Sequence, residues 1–179
     1  MDTIERWFDP RIPVEYITIS FLVLFAIIFL GFCFLSVQKI QKFVLCILAS
    51  EYYFLVLCST VICRTTIVSK RIECIPFYKY RDIWNHVDVT RNVMEILLNI
   101  IMFIPIGLLI GGSMPKQRGK VLLIGCVLSI VIETLQLITG RGLCETDDVI
   151  HNTIGCLIGY SLSALLFRLL NKKNEETSL

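Results

Sequence analysis

Seven polar side chains lie within or against the long apolar runs of this 179-residue chain: Asn92, Glu95, Asn99, Glu133, Gln136, Asp148 and Asn152. Their types allow two kinds of chemistry. Two carboxylates in a low dielectric, Glu133 and Asp148, can hold separated pKa values and act as general acid and base. The amides of Asn99, Gln136 and Asn152, joined by the guanidinium groups of Arg64 and Arg141, would instead bind a ligand, since guanidinium pairs well with phosphate and amides supply neutral hydrogen bonds. Either use has to repay a cost. An ionised group at the centre of a bilayer costs roughly 2.5–3.5 kcal/mol on insertion scales, and such groups mark functional sites by default.

Helices carry these groups. At about 100° per residue, positions three, four and seven apart share a face. Ser129, Glu133 and Gln136 fall on one face, Asn92, Glu95 and Asn99 on another, and Asp148, Asn152, Gly155 and Gly159 on a third. The other faces are Leu, Ile, Val and Phe, so the three polar stripes are expected to face one another rather than lipid. Their depths match as well. In an up-down bundle the start of the third crossing, the end of the fourth and the start of the fifth lie at one membrane surface, where Arg64 and Arg141 also arrive.

Composition sets the class. The chain is 55% hydrophobic and 18% charged, with a mean hydropathy of +0.74, against about 25% charged for a soluble domain. Crossing hydrocarbon takes about 20 residues of helix. Runs of that order occur at about Val14–Leu35, Phe43–Cys63, Asn92–Gly112, Val121–Ile138 and Val149–Leu170. The expectation is an all-α, polytopic membrane helix bundle of about five transmembrane helices, a single integral membrane domain over 1–179. The first run reads as an anchor rather than a signal peptide. Asp2, Glu5 and Asp9 precede it, its apolar part is too long, and no small-residue cleavage site follows.

Lys and Arg nearly tie between the two sides, eight against nine. The acidic flank before the first run, with Lys39 and Lys42 after it, tips the balance toward an outside N-terminus. That puts outside both the long Arg64–Arg91 connection and the loop at Arg141–Asp148. The long connection holds Phe77, Tyr78, Tyr80 and Trp84, which suit the lipid–water interface.

Simpler readings stand beside these. Asn99 and Gln136 could do no more than hydrogen-bond between helices, and Gly155 with Gly159 form a close-packing face. Asp147 and Asp148 could be a helix cap and its acidic neighbour. His151 reads as an interfacial histidine. Glu51 stands alone in the second crossing, and the sequence does not say what it meets. No metal is expected, for want of ligand spacing. No cofactor motif is present, and a net charge of +2 implies no nucleic acid. Ser129 has no histidine near it for nucleophilic chemistry. Of eight cysteines, only Cys74 and Cys144 fall in loops that share a side, where a disulfide is open to them. Proline at 105 should bend the third crossing.

Three blocks carry a family resemblance: Asn99-Ile100-Ile101-Met102-Phe103-Ile104-Pro105-Ile106-Gly107, then Ser129-Ile130-Val131-Ile132-Glu133-Thr134-Leu135-Gln136, then Gly140-Arg141-Gly142 followed by Asp147-Asp148-Val149-Ile150-His151-Asn152-Thr153-Ile154-Gly155. In order and spacing the chain resembles the VanZ-like family over about 60–170, with Thr60–Arg64 and Ile75-Pro76-Phe77 as the lead-in. The resemblance implies a multi-pass protein of the bacterial cytoplasmic membrane, in a family whose namesake is associated with teicoplanin resistance. It marks Glu133, Gln136, Arg141, Asp148 and Asn152 as site residues without supplying a mechanism. Two functions remain open. One is an envelope protein that takes a lipid-linked or glycopeptide-type ligand from the outer face. The other is an intramembrane enzyme acting on a lipid or polyprenyl-linked substrate through Glu133 and Asp148. The bilayer is the implied partner in both.

Overall fold

The computed structural model describes residue 23, residues 37–64 and residues 72–177. Helix α1 (Val37–Leu57) continues into a wider π-helical turn at Cys58–Ile62, closed by the Cys63 N–H donating to the Cys58 carbonyl at 2.9 Å. Then follow strand β1 (Ile72–Glu73), short helix α2 (Tyr78–Trp84), α3 (Val89–Ser113), α4 (Arg118–Thr139), strand β2 (Cys144–Glu145) and α5 (Thr146–Thr177). Among the described residues, four stretches are long and apolar enough to cross a membrane: Lys39–Ile62, Val89–Ser113, Arg118–Thr139 and Thr146–Leu169. The protein is an all-α membrane bundle. The expected crossing at Val14–Leu35 lies outside the described residues, Val23 excepted.

The helices begin a turn earlier than their apolar runs. Asp147 and Asp148 sit in the first turn of α5, where the positive end of the helix dipole favours acids. Hydropathy alone discards such residues. Helix α3 runs as one element through Pro105.

Packing of α3 on α5 is backbone against backbone. A Cβ on Gly155 would run into the Ile100 carbonyl, one on Gly159 into the Ile104 carbonyl, and one on Gly107 into the Cys156 carbonyl. Glycine is what lets these two helices close to this distance. Helix α4 joins through Gly125, whose Cβ would lie 2.6 Å from the Cys156 sulfur. Phe103, Ile106, Val121, Ile132 and Cys156 form the buried core around this seam. Leu97, Ile101, Leu123, Val127, Ile130 and Ile138 point outward, as suits a lipid-facing surface.

The long connection is not plain loop. Its strand β1 pairs in parallel with β2, Ile72 opposite Cys144 and Glu73 opposite Glu145. The two connections on that side of the membrane are thereby tied together, and α2 is laid against the end of the bundle.

Candidate functional site

The site forms where α2 meets the ends of α3, α4 and α5. Phe77, just before α2, has φ 64°, a left-handed conformation that a bulky residue adopts only when its surroundings enforce it. Asp147 is what enforces it. Its carboxylate accepts the N–H of Phe77 and, at 3.0 Å, that of Lys79. Asp147 therefore does cap a helix, but across the fold: it serves α2, not its own α5.

That turn drives Lys79 inward. Its side chain is fully buried, with Nζ 2.6 Å from Asp148 Oδ1, 2.7 Å from Glu145 Oε2 and 3.0 Å from Glu95 Oε2. Glu95 also accepts Arg91 Nε at 2.9 Å. Glu133 stands behind this group, with Oε2 accepting the Glu145 N–H at 2.8 Å. A lysine from α2 thus ties α3, β2 and α5 together, and α4 is joined through Glu133. Burial alone would lower the lysine pKa, but Asp148, Glu145 and Glu95 outweigh it and hold Lys79 charged well above its ordinary range. Burial, reinforced by Asp148, pushes the Glu145 carboxyl up, while Lys79 and Tyr78 pull it back. Burial also lifts the Tyr78 phenol, which is hydrogen-bonded to Glu145.

Polar pairs extend the cluster. Tyr80 Oη lies 2.9 Å from His151 Nε2, and His151 is fully buried. The histidine expected at the interface is buried in the protein: its neighbours Asp148 and Asn152 face inward, and their helix face carries it under α2. Asn152 donates to Ser129 Oγ at 2.8 Å. Gln136 donates to the Thr60 carbonyl at 3.2 Å, and Gly142 is packed on the Gln136 side chain.

The structure thus brings Glu133 and Asp148 into one cluster and sets Asn152 and Gln136 beside it. Asn99 is half-buried, one turn beyond Glu95. Arg141 donates to the Ile62 carbonyl at the end of α1, and Arg64 is half-buried nearby in sequence. Sequence reasoning missed Lys79, Glu145 and Arg91. The available signal was charge: Glu95, Glu133, Asp147 and Asp148 needed a cation, and Lys79 lies between two tyrosines in the segment that arrives there. Among the described residues, no three His, Cys, Asp or Glu side chains are arranged to hold a metal, and Cys74 and Cys144 are free thiols. Glu51 is half-buried, with Oε1 lacking a hydrogen-bond partner.

A cleft of about 330 Å3 opens onto the cluster between β1 and the β2 connection, lined by Ile72, Glu73, Tyr78, Leu143 and Glu145. Tyr78 and Glu145 are at once its wall and part of the buried network.

The VanZ/LLP1 family pattern matches residues 21–168. Protein VanZ of Enterococcus faecium is 36% identical over 90 residues, covering 47% of this chain and 53% of that protein. The match therefore spans about half the length of that curated relative. No solved structure matches. With most of its length matched, including every residue of the cluster, this chain belongs to the VanZ/LLP1 family.

Proposed function

We propose that the chain sits in the bacterial cytoplasmic membrane with its Lys79 end outward. There it binds a lipid-linked envelope precursor or a glycopeptide-type ligand, and through that binding it contributes to glycopeptide tolerance, teicoplanin first. The observation that carries this reading is the cleft. It gives an entrance of about 330 Å3 whose wall includes Glu145 and Tyr78, so a ligand reaching it touches the charge network directly. The amides of Asn99, Gln136 and Asn152 are the neutral hydrogen-bonding groups of this reading. Arg141 and Arg64 are its anion-binding groups, at the neighbouring corner of the bundle. One guanidinium N–H of Arg141 goes to the Ile62 carbonyl, and the fork has five. Lysines and arginines nearly tie between the two ends, so the outward orientation rests on the acidic start of the chain followed by Lys39 and Lys42.

The test is expression in a susceptible Gram-positive host with teicoplanin and vancomycin tolerance measured. Tolerance should rise with the wild-type chain and fall back with Arg141→Gln. Unchanged tolerance, with the wild-type protein present in the membrane, removes the resistance role.

An enzymatic reading keeps one supporting observation: Glu133 and Asp148 both touch Glu145 or its partner Lys79, so a proton could pass within one cluster. Glu133→Gln separates the two readings. The amide still accepts the Glu145 N–H, so a binding protein retains most of its function, whereas an acid–base enzyme loses nearly all of it.

A further inference from the structure

Residues 72–87 have an inverted polarity. A surface segment in water turns lysine outward and aromatics inward. Here Lys79 is fully buried while Trp84 is 84% exposed. Phe77, Tyr80 and Trp84, spaced three and four apart, share the outer side with Ile72, Ile75 and Val87. This patch does not stand alone. Val87 leads within two residues into the span Val89–Ser113, whose own Val93, Met94, Leu97 and Ile101 are exposed. The segment's apolar side chains thus lie at the end of the lipid-facing surface of the bundle, with exposed Asn85, His86, Asp88 and Arg91 among them, the mixed polarity of a headgroup layer. Chain connectivity holds it at the end of a span, the depth of the headgroups, where tryptophan and tyrosine rings are favoured. Arg81, also exposed, suits phosphate at that depth.

The cleft shares this rim. Ile72 is both a wall of the cleft and itself exposed, in the same short stretch of chain as Ile75 and Phe77. Asp147 and the buried Lys79 fix the segment from beneath, so the mouth is held at the level of the patch.

We infer that residues 72–87 are an anchor in the headgroup layer, and that the cleft opens sideways into that leaflet rather than upward into water. The molecule admitted is then an amphiphile that arrives with its tail in the bilayer. A lipid-linked precursor fits this and a freely soluble glycopeptide does not. The choice of ligand rests on the binding role proposed above; the placement of the segment and the cleft does not.

The experiment uses the full chain in phosphatidylcholine–phosphatidylglycerol vesicles. The chain has two tryptophans, so Trp7→Phe leaves Trp84 as the reporter, and the difference between wild type and Trp84→Phe gives the same reading should that variant fold poorly. A third protein, Trp7→Phe with Trp84→Phe and Ile72→Trp, reports on the cleft mouth. Emission from both reporters should drop by about half with lipids brominated high on the acyl chain, as for an interfacial ring, and respond little to aqueous iodide. Iodide quenching of Trp84 without lipid quenching puts the segment in water and overturns the anchor. Strongest quenching from bromines near the chain ends overturns the headgroup depth. Lipid-quenched Trp84 with an iodide-quenched Ile72→Trp reporter overturns the sideways opening. None of these readouts depends on whether tolerance changes, so failure of the ligand role shows up separately.

Discussion

The middle of the bundle and its loop-side end are held together by opposite means. At the seam of α3 and α5, Gly155, Gly159 and Gly107 bring backbone onto backbone with no charge involved. At the end, one lysine faces three carboxylates with a fourth close behind. A seam of small residues is the economical way to join helices in lipid, because only packing and a few hydrogen bonds are available there. A buried ion cluster is not economical. Its desolvation cost can exceed its Coulombic gain, and a well-packed apolar replacement is often as stable. The seam accounts for the fold. The cluster is therefore to be explained by what it does, and it is the cluster that meets the cleft.

The largest effect of a single substitution is expected at the seam. Gly159→Val puts side-chain atoms where the Ile104 carbonyl and the Leu108 amide lie, and both neighbours are backbone that cannot rotate away. The loss should exceed about 3 kcal/mol, the upper part of the overpacking range, and folded protein should fail to accumulate in the membrane. A normal level on a detergent-stable size-exclusion profile would show that α3 and α5 can separate cheaply and that the seam does not hold the fold.

At the other end the sharpest probe is Lys79→Met, which keeps the bulk of the side chain and removes the charge. Breaking a buried pair by deleting one partner costs about 3–5 kcal/mol, because the surviving charges are left uncompensated. Thermal unfolding should show a loss of that order. Glu145→Gln in the same chain removes one of the stranded carboxylates and should recover part of it. Without such recovery, Lys79 would be acting through packing rather than charge.

How much of this was legible beforehand follows the range of the interactions. The four described spans came from local hydropathy. The inward faces of Glu133, Asp148 and Asn152 came from spacing within single helices, as did the Gly155–Gly159 seam. Lys79 did not, since its partners lie on α3, β2 and α5. In the sequence it is one cation among aromatics, which is how a lysine at a membrane surface looks. Asp147 misled in a related way. An acid in the first turn of a helix is well explained locally by the helix dipole, and that local reason hid the hydrogen bonds it makes to Phe77 and Lys79, about 70 residues away. The burial of His151 was not visible because its partner, Tyr80, lies on a segment whose docking no local pattern reveals.

A milder probe loosens the end while leaving the seam intact. Asp147→Ala removes the acceptor for two backbone N–H groups and the restraint on the left-handed Phe77. Leaving buried donors unpaired costs about 1–3 kcal/mol. The cost should fall on residues 72–84 and not on the spans. Trypsin should cut after the exposed Arg81 several-fold faster, with the unfolding midpoint of the bundle little changed. Faster cleavage throughout the chain would mean that the two regions unfold together and that the contrast between them is one of chemistry only.

The smallest effect is a slope with pH. Glu145 is raised, first by burial and then by Asp148, so the folded protein holds a proton that the unfolded chain has released. Its contribution is fully present below the ordinary glutamate value of about 4.3 and is lost as pH rises through the folded value. Lys79, held up overall by its carboxylates against burial, works in the other window. Its contribution is full below about 10.4 and fades only as pH climbs past its folded value. As pH falls toward the ordinary glutamate value Lys79 stays charged, and the unfolding midpoint should rise gently as Glu145 takes up its proton. Glu145→Gln should make that rise shallower while leaving the alkaline limb in place. An equal fall on acidification in both proteins would mean that the carboxylates at this end are stabilised as anions. Lys79 would then outweigh burial at Glu145, and the cluster would be a satisfied salt bridge rather than an acid-rich wall poised to take a proton or a ligand.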